Sequence, residues 1–162
     1  LQGNEKAQHW YDVARYSKGS FISWLSTGSQ KKWFEANENA AQAGSAYAQV
    51  TLAMLYLEGR GIDKDPAKAA KWMREGAIQG MAGAQFMLAQ AYFEGNGVKQ
   101  DLEEGLFWLN MAALGSEYYN KFLEGLNKNT YFEMGLREDA FERMRIKAKE
   151  MWKPYVYDAE SP

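Results

Sequence analysis

An all-α, right-handed solenoid of antiparallel helix pairs is the fold this sequence predicts, and three observations predict it. First, the chain repeats itself: Ala48 to Gly61 returns as Ala84 to Gly97, a shift of 84 − 48 = 36 residues. Second, apolar residues inside each copy recur at three- and four-residue spacing, the period of a helix with one apolar face. Third, each copy is punctuated alike, by a Gly-x-Gly pair and then by an aspartate. A fixed period of this length marks stacked units that bury their apolar faces only against each other.

The elements follow in order, within one domain of about four helix pairs. Residues 1–44 form a degenerate first unit, in which Tyr16 to Gly19 echoes Tyr56 to Gly59 at a shift of 59 − 19 = 40. The extra length implies a longer connection holding Phe21, Trp24 and Leu25, with a helix beginning at Trp33. The second unit spans 45–80. Its first helix, Ala46 to Glu58, aligns Ala48, Leu52, Leu55 and Tyr56 on one face. Gly59 and Gly61 stop it, because glycine accepts the positive φ of a C-cap. Asp65-Pro66 starts the next helix, aspartate as N-cap and proline in the first turn. That helix carries Ala69, Trp72, Met73 and Ala77 and ends at Gly80.

The third unit, 81–115, repeats the scheme. A helix from about Gly83 to Glu94 ends in Gly95-Asn96-Gly97, and Asp101 caps a helix carrying Leu102, Leu106, Trp108, Leu109 and Ala112 to about Leu114. Trp108 matches Trp72 and Ala113 matches Ala77, whereas Gly115 arrives one residue early. The last unit, 116–162, has a helix from Ser116 to Leu126 with Tyr119, Phe122, Leu123 and Leu126 inward. A turn at 127–130 follows, then a helix from Arg137 to Trp152 with Phe141, Met144, Ala148 and Trp152 on one side. Pro154 blocks its continuation, and its charge density suits a terminal cap.

Composition narrows the function classes. A net charge of −2 gives no global attraction to nucleic acid or to an anionic membrane. Arg143, Arg145, Lys147, Lys149 and Lys153 cluster, but Glu142 and Glu150 dilute them into a solvated helix face. The absence of cysteine excludes disulfides, thiol nucleophiles and thiolate metal sites. No stretch approaches the ~18 apolar residues of a membrane span.

The repeated pattern Ala-x-x-x-Leu-Ala-x-x-Tyr-x-x-Gly-x-Gly, then Asp, Trp and Ala-Ala-x-x-Gly, resembles the Sel-one-like repeat (SLR) family, relatives of the tetratricopeptide repeats. Units 48–80 and 84–115 carry the pattern well, and about 7–44 and 116–150 carry it in part. The resemblance implies structural work for Ala48, Leu52, Tyr56, Gly59, Gly61, Asp65, Trp72 and Ala77. It implies the same for Ala84, Leu88, Tyr92, Gly95, Gly97, Asp101, Trp108 and Ala113. It also implies a bacterial setting, often an exported one. A chain opening on Leu1 fits a product from which a signal peptide was removed, so a periplasmic or secreted location is favoured and the cytoplasm stays open.

Catalytic chemistry finds no constellation here. The single histidine, His9, builds neither a triad nor a three-histidine metal site. Glu103-Glu104 and Glu138-Asp139 are neighbours along a helix and point to different faces. Gly59-Arg60-Gly61 and Gly95-Asn96-Gly97 follow no strand and lack the Lys-Ser/Thr of a phosphate loop. The expectation is a non-enzyme with no cofactor and no metal.

What the pattern leaves open is the exposed side of each first helix, which in tetratricopeptide-like repeats lines the concave wall. By that resemblance, Tyr47, Val50, Met54, Leu57 and Glu58 line it in one unit. Gly83, Phe86, Gln90, Phe93 and Glu94 line it in the next. Val50, Met54, Leu57, Phe86 and Phe93 then form an apolar strip able to hold a protein partner. The alternative is that neighbouring helices or the N-terminal connection cover them. Trp10, Tyr11 and Tyr118 extend or plug the groove. The function expected is a scaffold or adaptor; an immunity or inhibitor protein for a secreted toxin or enzyme and a glycan or cell-wall binder are the alternatives.

Overall fold

The computed structural model describes residues 27–59, 62–125, 133 and 135–153. Those residues form seven helices and no strand: α1 (Thr27–Gln42), α2 (Ala46–Glu58), α3 (Pro66–Ile78), α4 (Ala82–Glu94), α5 (Leu102–Gly115), α6 (Glu117–Gly125) and α7 (Glu138–Met151). His9, Trp10, Tyr11, Tyr16 to Gly19, Phe21, Trp24, Leu25, Gly61, Leu126 and the expected turn at 127–130 lie outside the described residues. One helix differs from expectation: α1 begins at Thr27 rather than at Trp33.

Each boundary has a local cause. Ser45 caps α2, its Oγ accepting from the Ala48 N–H at 3.4 Å. Asp65 caps α3 by accepting from Lys68, and Asp101 caps α5 by accepting from Glu103 and Glu104. Gly59 and Gly95 end α2 and α4, each at φ 70°. Gly97 is held by more than its φ of 77°, since a Cβ there would stand 2.0 Å from the Pro66 carbonyl oxygen. The turn of one unit thus rests on the backbone of the unit before it.

Helices pack mainly on their neighbours in the chain, from α1 on α2 through to α5 on α6, while α7 folds back onto α5. The core runs along these junctions through Leu52, Met73, Leu88, Leu106, Leu109 and Tyr119. Small residues set the spacing. Gly76 lies where a Cβ would meet Val50 at 3.1 Å and Ala84 at 3.3 Å. Gly105 lies under the Phe93 ring, which a Cβ would approach to 2.6 Å.

A buried glutamine recurs with the period. Gln49 Nε2 donates to the Ala41 carbonyl at 3.2 Å, and Gln85 Nε2 donates to the Ala77 carbonyl at 3.1 Å. Both partners shift together, 85 − 49 = 36 and 77 − 41 = 36, so each glutamine satisfies a helix-end carbonyl of the preceding unit. The repeated Ala-Gln dipeptide carried this signal in the sequence, although an apolar pattern passes over it.

The last helix is tied by charge as well as by Ala140, Met144 and Ala148. Arg143 reaches Glu103 at 2.8 Å, and Lys147 reaches Glu104 at 3.2 Å. The Lys147 ammonium also lies 4.4 Å from the Phe107 ring centroid.

Candidate functional site

The first helices of the three described pairs are α2, α4 and α6. After Ser116 the equivalence runs one residue short, so Leu52 and Leu88 are followed by Leu123 (123 − 88 = 35). All three leucines are buried. That register allows the helices to be compared position by position.

The strip expected from the sequence is corrected on its burial. Val50 is 2% exposed and Phe86 is 7% exposed. Val50 is turned toward Gly76 of α3. Phe86 stacks on Tyr119 of α6 at 4.6 Å and meets Phe122 edge-on at 5.3 Å. Both side chains point at a neighbouring helix rather than along the wall. Leu57 and Phe93 are half-buried and packed on the core, Phe93 over Gly105. Gly83 is buried, and Met54 and Gln90 are half-buried. Glu58 and Glu94 are exposed, and so is Tyr47, at 52%.

The open face instead follows a stripe one helical step away. On α2 it holds Tyr47, Thr51, Met54 and Glu58. The equivalent α4 residues are Gly83, Met87, Gln90 and Glu94 (83 − 47 = 36). On α6 the same row continues as Tyr118 and Phe122, 60% and 45% exposed. Phe122 was expected inward; the early arrival of Gly115 rotates the α6 register, so Tyr119 and Leu123 take the core positions and Phe122 moves out. Tyr118 lies edge-on to Tyr119 at 5.1 Å, which fixes one exposed aromatic on a buried one.

Charge on this face is modest. Glu117 and Lys121 pair at 2.8 Å beside Tyr118, and that contact holds the Glu117 carboxyl below its ordinary pKa. Among the described residues no group of three His, Cys, Asp or Glu side chains is placed to hold a metal ion. No described helix is long and apolar enough to cross a membrane.

Comparison with known proteins follows the same lines. The Sel1 repeat family model matches residues 46–81 and 82–116. No curated protein matches the chain. A solved protective antigen of uropathogenic Escherichia coli strains, described as displaying an SLR fold, is 27% identical with a TM-score of 0.60, over 86% of this chain and 32% of that one. A Sel1 repeat protein from Oxalobacter formigenes is 34% identical with a TM-score of 0.55, over 60% of this chain and 29% of that one. The chain therefore spans about a third of the length of these solved relatives. Repeats of this family commonly mediate protein–protein interaction and typically serve as non-catalytic scaffolds. The two units at 46–81 and 82–116 are Sel1 repeats, stacked in an SLR-type helical solenoid.

Proposed function

We propose that this chain is a non-catalytic protein-binding module, whose partner lies along the wall formed by α2, α4 and α6. One observation carries the reading. The stripe leaves three large aromatic side chains uncovered: Tyr47 is 52%, Tyr118 60% and Phe122 45% exposed. Tyr47 and Tyr118 align with the buried Gly83, and Phe122 aligns with the half-buried Thr51 and Met87. Exposed aromatics on one stripe fit a surface that receives a protein ligand, with aromatic anchors and a polar rim supplied by Glu58 and Glu94.

Affinity capture tests this with the wild-type chain beside a Tyr47→Ala/Tyr118→Ala variant, bound proteins being identified by mass spectrometry. The expected result is a dominant protein retained by the wild type and lost by the variant, with both chains equally stable. Equal capture by both would refute the wall. Recovery of a single secreted enzyme, inhibited on binding, would replace the scaffold reading with an inhibitor.

A further inference from the structure

Successive repeat junctions in this chain are not built alike. At the first, Gln79 Nε2 donates to Gln49 Oε1 at 2.8 Å and to the Gly44 carbonyl at 3.0 Å. One side-chain amide thereby satisfies both the repeat glutamine and a helix-end carbonyl. At the second junction, Gln85 takes the place of Gln49 and keeps its bond to Ala77. The residue standing one period after Gln79 is Gly115 (115 − 79 = 36), which has no side chain to offer.

Gln85 Oε1 is therefore buried without a donor from the protein, on a residue that is 0% exposed. The space of the missing glutamine side chain is bordered by Trp152, whose Nε1 lies 3.7 Å from where a Gly115 Cβ would stand. The Trp152 N–H is likewise buried and meets no protein acceptor. By the period, Gln85 Oε1 points to the place that the Gln79 amide fills one unit earlier. On that equivalence an unpaired donor and an unpaired acceptor border the same place, and burial of either alone is costly.

We propose that a single buried water binds here, accepting from Trp152 Nε1 and donating to Gln85 Oε1. Its second proton goes to the Gly80 carbonyl, which stands one period after Gly44 (80 − 44 = 36). Three partners are the usual complement of a buried water. The water replaces the Gln79 amide, and Trp152 becomes a polar key as well as an apolar lid. It reads the repeat glutamine through the water and fixes the register of the C-terminal helix on the last full repeat.

Nuclear magnetic resonance on the ¹⁵N-labelled full chain tests the site. The Trp152 indole signal is assigned by its loss in Trp152→Phe, which keeps the ring packing. The expected result is a cross-peak from that indole proton to water, with the sign of a long-lived bound molecule. A crystal structure should place one water within hydrogen-bond distance of both Trp152 Nε1 and Gln85 Oε1. A folded wild-type chain without the cross-peak would overturn the proposal. So would a crystal structure with the indole N–H bonded directly to a protein oxygen.

Discussion

Phe86 shows how one side chain separates packing from binding. Its ring is stacked on Tyr119 and capped edge-on by Phe122. Phe86→Ala should destabilise the fold by about 3–5 kcal/mol, seen as a lower midpoint in urea unfolding. Tyr47→Ala should leave that midpoint nearly unchanged, because Tyr47 is half exposed and its row is not repeated. Glycines divide in the same way. Gly97→Ala should cost more than about 1 kcal/mol, because a Cβ would strike the Pro66 carbonyl and the backbone has positive φ. At Gly125 a Cβ meets nothing within 4 Å, so Gly125→Ala should be neutral or stabilising in the same assay. The sequence could not rank Val50 or Phe86 against Tyr47. All sit on the side left open by the repeat signature, and which of them a neighbouring helix covers depends on stacking geometry that no single helix encodes.

At the scale of the element, boundaries were the most legible part of the chain. Asp65 and Asp101 act at helix starts and Gly59 and Gly95 at helix ends, because caps are local chemistry. Asp101→Ala should cost about 1 kcal/mol, read as a lower thermal midpoint. The start of α1 was missed because Thr27-Gly28-Ser29 looks like a loop, and α1 gains its support by packing on α2. The caps also set an acid limit. The Lys68 backbone N–H, bonded to the Asp65 carboxylate, holds its pKa below the ordinary value. Arg145 does the same for Glu142 and Lys121 for Glu117. Each carboxyl is depressed in the folded state, so its contribution is complete above its unfolded pKa, about 4. It is lost as pH falls further. Thermal unfolding should therefore be flat from neutral pH to about 5 and shift downward below 4. A rising midpoint in that acid range would contradict these contacts.

Across the whole molecule, coupling runs between neighbours. The helices touch mainly in chain order, while α7 steps over one element to reach α5 and Phe86 of α4 stacks on Tyr119 of α6. Stability in such an array is a sum of unit and junction terms, so its parts open separately. Native-state hydrogen exchange should show the deepest protection at the α4–α5 junction, where Leu88, Leu106 and Leu109 meet, and shallower protection in α1. Uniform protection over all helices would show a single cooperative block instead. The solenoid itself was legible from the period alone. The face proposed for a partner was not, since the one-residue slip at Gly115 reorients α6 only when the helices are stacked.

The contact of Gly97 with the previous unit has a mechanical meaning. Pulled from its two ends, the array bears load in series, with the turn at Gly97 braced on the Pro66 backbone behind it. Extension should proceed in discrete releases, each freeing one 36-residue unit, 46–81 for example, or roughly 120 Å of chain at about 3.4 Å per residue. Gly97→Ala would then lower the force of one release and leave the others in place. A partner spanning α2 to α6 would bridge the joints in parallel and make them yield together, as a splint does.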